Sequence, residues 1–327
     1  MSHADAKSVY FNRKLGCYRW VRYANLVFLF AFGSALFAQE HNLSLTVEGN
    51  KGQLLLYEPL PLCIVLHNSE NKVVETTLGL NRLGVETSVL TSYENGDYLP
   101  WKRGWLPDNE PVPLMREKLD PGQSIKYCFD CLWQKSNSVF EKPGNYRVKA
   151  RWRGSVGAAG TLAFEYNVSL ESDPFLVTVI EGSEMDKACM DFILKQSVQG
   201  YLSVESKDLL SELPQEDQLQ KIYRLYDVTQ KFGKSVYATY ALATLLSVID
   251  NDKMDPGLRD RIMEAAKNHI QQDSAHPRVL YFCARSLASK TPEYALALID
   301  KARKLKPDAV VSELIDQLAN ELKSYSK

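Results

Sequence analysis

Beyond residue 38 the chain has four histidines, His41, His67, His269 and His276, and five cysteines, Cys63, Cys128, Cys131, Cys189 and Cys283, residue types that often serve as bases, nucleophiles and metal ligands. A hydrolase, transferase or metalloenzyme groups such residues, pairing a nucleophile with a base or assembling three metal ligands. No histidine stands in HExxH or HxH, and none stands directly beside a Cys or Asp. The chain also lacks a GxSxG elbow, a Walker loop and a GxGxxG turn. The expectation is a non-catalytic protein with no cofactor and no metal.

Cys128-Phe-Asp-Cys131 has the spacing of a redox or zinc motif, but Ser124 to Trp133 reads as a β-strand rather than the start of a helix. A helix N-terminus is what lowers the pKa of a redox thiol, and a second CxxC is what completes a zinc site. Residues three apart on a strand point to opposite faces, so these two are not expected to bond each other. The reading is buried thiols, or one disulfide from Cys63 to either Cys128 or Cys131. An odd number of cysteines leaves at least one thiol unpaired.

The elements that must position these residues begin after an N-terminal segment of its own kind. Arg13, Lys14, Arg19 and Arg22 precede an apolar run from Leu26 to Phe37, which stops at Ala38-Gln39. That order is the layout of an export signal, shorter than the roughly 20 residues a membrane-crossing helix needs. Residues 1–38 are therefore read as a signal peptide or, if uncleaved, an N-terminal anchor, and the protein as periplasmic or extracellular. Membrane contact would run only through an uncleaved segment. The net charge of −1 and the lack of a Lys/Arg block of five or more after the signal argue against nucleic acid as a partner.

The remainder is long enough for two domains. In residues 39–181, short runs rich in Val, Leu, Ile, Tyr and Phe alternate with Gly, Pro and Asn clusters, the rhythm of an all-β sandwich. Leu60 to Asn68 is a nearly continuous apolar strand, and Pro121-Gly122 and Pro143-Gly144 have the chemistry of type II turns. Tyr57-Glu58-Pro59, Leu119-Asp-Pro-Gly122 and Phe140-Glu-Lys-Pro-Gly-Asn-Tyr-Arg-Val148 together resemble the immunoglobulin-like or fibronectin-III-like sandwiches of exported bacterial proteins. The resemblance implies that Tyr146 packs at a corner where a late strand starts. It implies a fold and no activity.

One insertion in this half is a candidate contact surface. Trp101 and Trp105 flank Lys102 and Arg103, and two indoles beside two cations could stack on a sugar ring or a peptide side chain. The competing reading has one Trp capping the sandwich and the other pinning the loop.

After Ile180-Glu-Gly182 the apolar period changes to that of a helix, placing a second domain at residues 182–327. Helices are expected near 184–202, 215–232, 235–249, 256–273, 277–289, 292–305 and 309–324, with Pro214, Pro256, Pro277 and Pro292 in first turns. Tyr240-Ala-Leu-Ala243 and Tyr281-Phe-Cys-Ala284 recur at an offset of 41 residues. Val279 to Asp308, with Ala284, Leu287, Ala295, Ile299, Ala302 and Pro307, resembles a tetratricopeptide repeat, although Ala284 replaces the family's small Gly and the first-helix Trp is absent. Ala309 to Lys327 would be a capping helix. The fold class is thus multidomain, all-β plus all-α.

The tetratricopeptide resemblance implies a concave groove that binds a protein or peptide, with Tyr223, Tyr226, Tyr237, Tyr240 and Tyr281 as candidate wall residues. Against that stands the commoner role of an aromatic stripe at helical spacing, which is core. Lys301, Arg303, Lys304 and Lys306 form a basic patch favourable at a helix C-terminus. The expected function is a non-catalytic exported scaffold holding a protein or peptide through its helical domain. The alternative is a carbohydrate-binding or enzyme-accessory protein using the Trp101/Trp105 loop.

Overall fold

The computed structural model describes residues 42–49, 52–77, 87–101, 116–131, 140, 142–158, 166–251, 254–272 and 275–325. Residues 1–38, read above as an export signal, and Lys102, Arg103 and Trp105 lie outside them. Leu43 to Lys327 forms one compact unit, β-rich in its first half and helical in its second.

Two sheets make the β part. The smaller joins β1 (Leu43–Glu48), β3 (Leu60–Asn68) and β8 (Ser124–Cys131) in that order, all antiparallel. In the larger, the long strand β9 (Gly144–Ala158) is the spine. It pairs with β11 (Phe175–Ile180), β5 (Thr87–Tyr93), β10 (Tyr166–Glu171) and β4 (Val74–Thr77). Strands β2 (Gln53–Leu55), β6 (Leu99–Trp101) and β7 (Arg116–Leu119) extend it through β11, β5 and β4.

Leu60, Leu62, Ile64 and Leu66 alternate inward from β3 to meet Val148, Ala150, Trp152 and Val177 in a common core. The intervening Pro61 and Cys63 are buried as well. That is why β3 reads as an unbroken apolar run: its outer face is covered by a helix, so neither side of the strand needs polar residues.

The first of the two expected Pro-Gly turns matches its chemistry, whereas Gly144, at φ 147°, opens β9 instead. Pro121 and Gly122 occupy the centre of a turn closed by the Gln123 N–H to Asp120 C=O bond of 2.9 Å, with Gly122 at φ 75°, where a Cβ is disfavoured. Buried Asn68 ends β3 by donating to the carbonyls of Lys72 and Leu119 and accepting from the Glu70 N–H. Tyr146, near the start of β9, donates its hydroxyl to the Lys142 carbonyl at 2.9 Å.

The described helices are α1 (Glu184–Gln196), α2 (Ser206–Ser211), α3 (Gln215–Lys231), α4 (Val236–Ser247), α5 (Pro256–Ile270), α6 (Pro277–Leu287), α7 (Pro292–Lys304) and α8 (Ala309–Tyr325). Pro256, Pro277 and Pro292 open their helices, whereas Pro214 is the residue before α3. The single helix expected over 184–202 ends instead at Gln196. Ser197 adopts a left-handed conformation at φ 52°, and Val198 donates back to the Ile193 carbonyl, which closes the last turn. Val198 and Leu202 are buried as an amphipathic helix would bury them, but from a short 3-10 turn that leads into the unforeseen α2.

One carboxylate caps two helices. Asp186 completes a capping box with Ser183 at the start of α1 and also accepts from the Ser235 hydroxyl and the Val236 N–H at the start of α4. Burial pushes this carboxyl up, but those hydrogen bonds outweigh it and hold it below its ordinary value.

Helix α8 does not end the fold as a solvent-facing cap. It packs on β3 and β8 as well as on α6 and α7.

Candidate functional site

The β-sheet and the helices meet on the outer face of β8. Alternation along that strand sends Phe129 and Cys131 into the core between the sheets and leaves Lys126, Cys128 and Asp130 facing the helices. Cys63 and Cys128 sit opposite each other on β3 and β8, with Cα atoms 4.0 Å apart, and form a disulfide on this outer face. Cys131, on the inner face, is a buried thiol outside this disulfide, as are Cys189 and Cys283. Burial pushes the Cys189 thiol up to about 11 and the Cys283 thiol up to about 12, so neither supplies a thiolate near neutral pH.

Asp130 anchors the contact. Its carboxylate takes both terminal nitrogens of Arg278, at the start of α6, in a two-pronged pair, with Nη2 to Oδ1 at 2.7 Å. Arg278 also reaches Asp308, at 3.1 Å from Nη2 and 3.3 Å from Nε, and its guanidinium lies over the Tyr240 ring, 5.0 Å from the centroid. Arg278 is 1% exposed and Asp130 2%. Burial alone would lower the Arg278 pKa, but the two carboxylates hold it well above the ordinary arginine value. Burial pushes Asp308 up, yet the Arg278 charge and the Val311 N–H bring it below the usual carboxylate range. Asp130 further accepts from the Val204 N–H at 3.0 Å, which ties the stretch ahead of α2 to β8.

A second polar contact uses the turn between β2 and β3. Tyr57 takes φ 73°, unusual for a bulky residue, and the Glu58 N–H bonds to the Leu55 carbonyl across the turn. Glu58 then accepts from the Leu55 N–H at 2.9 Å and from the Tyr240 hydroxyl at 2.7 Å, and the Tyr237 hydroxyl donates to the Leu56 carbonyl. Burial, and after it the Glu58 charge, raises both tyrosines above their ordinary value.

Beside these contacts the two halves enclose a cleft of about 520 Å³. Lys126, Tyr127 and Cys128 of β8 form one wall. Glu205, Lys207 and Asp208 near α2 form another, and Tyr281, Phe282 and Arg285 of α6 with Val310, Glu313 and Leu314 of α8 complete it. Tyr281 and Phe282 meet edge to face at 4.9 Å, and Arg285 donates to the Tyr281 hydroxyl at 2.9 Å. Lys126 pairs with Glu48 at 2.8 Å and stands 3.9 Å from Glu313.

The residues singled out from the sequence scatter over this framework. Trp101 is core rather than contact surface: it is 8% exposed and stacks on Phe129 at 6.3 Å. Its partners in the proposed loop, Lys102, Arg103 and Trp105, are outside the described residues. The five tyrosines do not line one groove. Tyr237 and Tyr240 are buried against the β part, Tyr281 is a buried wall of the cleft, Tyr226 is half-buried beneath Arg261, and Tyr223 is exposed. The face of α4 assigned to a partner is thus occupied by the chain's own β2–β3 turn. In the basic patch, Lys301 donates to the Ile270 carbonyl and Arg303 pairs with Asp316 at 2.8 Å. No cluster of three or more metal-ligating side chains forms among the described residues.

Sequence reasoning passed over Asp130, Arg278 and Asp308. A signal was present: Asp130 stands between Phe129 and Cys131 in an apolar strand, and Arg278 precedes the apolar run Val279 to Cys283. Charges embedded in apolar runs are buried only when paired.

No family model matches the chain, and no curated protein is similar to it in sequence. Solved structures similar to it include the Northeast Structural Genomics Consortium target SoR45, with a TM-score of 0.24 and 11% identity over 45% of this chain and 95% of that one. Others are PapD-like domain 7 of human CEP192 (TM-score 0.21, 13% identity, 42% and 87%) and Spo0M, a sporulation control protein from Bacillus subtilis (0.22, 8%, 47% and 55%).

Proposed function

We propose that this chain is an exported, non-catalytic interaction protein, built as an immunoglobulin-like sandwich followed by a tetratricopeptide-like array, which takes a protein or peptide segment in the cleft between them. The observation that carries the reading is the cleft itself. Its size is that of a small-ligand site, its lining includes Tyr127, Tyr281, Phe282, Val310 and Leu314, and its walls come from both halves. Lys126, Lys207 and Arg285 are balanced by Glu205, Asp208 and Glu313, a rim that suits the mixed polarity of a peptide better than a phosphate or a polyanion.

Several features support the finer assignments. The Tyr146 hydroxyl bonded back to Lys142 has the geometry of a tyrosine corner. Helix α4 packs on α6 and α6 on α8, the lateral stacking expected of first helices in successive repeats. A disulfide suits an oxidising compartment outside the cytosol, in keeping with the basic-then-apolar N-terminus.

Selection of peptides from a random display library on the folded protein tests the reading. Selected peptides should lose at least about tenfold in affinity on Leu314→Arg, which replaces an apolar lining residue by a long cation that fills the cleft. Peptides that bind Leu314→Arg unchanged would remove the cleft from the proposal.

A further inference from the structure

The start of α6, which carries Arg278 into its pocket on β8, is held by two imidazoles in series. His269, near the end of α5, accepts a hydrogen bond at Nε2 from the His276 backbone N–H at 2.9 Å. His276, the residue before α6, in turn accepts at Nδ1 from the Arg278 backbone N–H at 3.2 Å. A ring nitrogen that accepts cannot carry a proton, so each bond exists only while that nitrogen is bare. The residue at the end of the relay is the one whose guanidinium joins Asp130 to Asp308.

We propose that His269 is an acid-sensitive latch on the contact between the helices and the β-sheet: protonation of its Nε2 removes the acceptor that seats the start of α6 and thereby loosens the Arg278 bridge to Asp130. This goes beyond the binding reading and does not rest on it.

The surroundings of the pair fix the sign. His269 faces Lys301 of α7, whose ammonium is bonded to the neighbouring Ile270 carbonyl, and the N–H of His276; both disfavour a positive ring. Burial, and then the Lys301 charge, holds its pKa below the ordinary histidine value. His276 is packed against the Tyr240 ring of α4, 5.4 Å between centroids, with Arg278 on one side and the Asp308 carboxylate in electrostatic range. Asp273, between the two histidines, lies outside the described residues. A histidine kept neutral in the fold stabilises it above the unfolded pKa of about 6.5, and that stabilisation is lost as pH falls from there toward the lower folded pKa. Asp308, whose carboxyl is lowered, contributes above the ordinary carboxylate range and loses its contribution only below about pH 4. The two effects therefore occupy separate windows.

Hydrogen exchange of the full chain, corrected for the intrinsic pH dependence of exchange, tests this at pH 7.0 and pH 5.0. Amides of α6 and β8 should open about tenfold more often at the lower pH, the equivalent of one buried hydrogen bond. His269→Gln, which offers an oxygen acceptor that does not titrate, should remove that dependence. An NMR titration of the His269 ring in the unaltered protein gives a second reading that needs no variant, and its midpoint should coincide with the opening. Unchanged exchange at pH 5.0, the same dependence in His269→Gln, or a ring midpoint away from the transition would each overturn the proposal.

Discussion

Arg278 of α6 and Asp130 of β8, separated by 148 positions in sequence, meet as a two-pronged ion pair with both side chains out of solvent. The pair is completed by Asp308 and Tyr240, so the guanidinium has two carboxylates and a ring face and lacks only water. Removing one member of such a set strands the others. Arg278→Met should lower unfolding free energy by about 3–5 kcal/mol in urea titrations, because Asp130 and Asp308 remain buried without a cation. Arg303→Ala, which breaks the exposed pair with Asp316, should cost under about 1 kcal/mol in the same titration.

Trp152 fixes its neighbour on the same face of β9. A Cβ on Gly154 would run into the Trp152 indole, whereas nothing lies within 4 Å of a Cβ on Gly52. Gly154→Ala should destabilise by about 1–3 kcal/mol, read as a fall in Tm, and Gly52→Ala should leave Tm nearly unchanged.

The disulfide spans a sequence separation of 65 residues. Closing a loop of that size restricts the unfolded chain by about 4 kcal/mol on the loop-entropy account. The Cys63→Ala/Cys128→Ala double variant should show a loss of that order in denaturant, and the unaltered protein should show a similar loss on reduction.

Cys131, Cys189 and Cys283 should resist alkylation in the native state at pH 8. All three are buried, and Cys189 and Cys283 titrate far above that pH. Iodoacetamide followed by peptide mass mapping should label them only after unfolding.

Trp101 also separates packing from binding. Its ring stacks on Phe129 in the core between the sheets, so Trp101→Ala should cost about 3–5 kcal/mol of stability. A Trp101→Ala protein that kept its stability but lost affinity for a glycan would restore the carbohydrate reading.

Much of the framework was legible because its signals are local. Pro256, Pro277 and Pro292 announce the helices they open, and Pro121-Gly122 announces its turn, since φ restrictions act on neighbouring residues. The break at Ser197 was hidden because a left-handed helix end is usually marked by Gly or Asn, and a serine carries no such mark. Tyr237 and Tyr240 follow the core alternative for a related reason. Period alone places Tyr237 and Tyr240 on one face of α4, but what covers that face is Glu58 and Leu56, about 180 residues away. Of the cleft only Tyr281 was legible, because the cleft is assembled from β8, α2, α4, α6 and α8, and no motif spans five elements.

A photo-crosslinking amino acid placed at Gln317, on the cleft wall, and separately at Tyr223, on the exposed face of α3, tests the central claim most directly. In the native host the account predicts one discrete adduct from position 317, lost on Leu314→Arg, and none from position 223. An adduct from position 223 with none from 317 would contradict it.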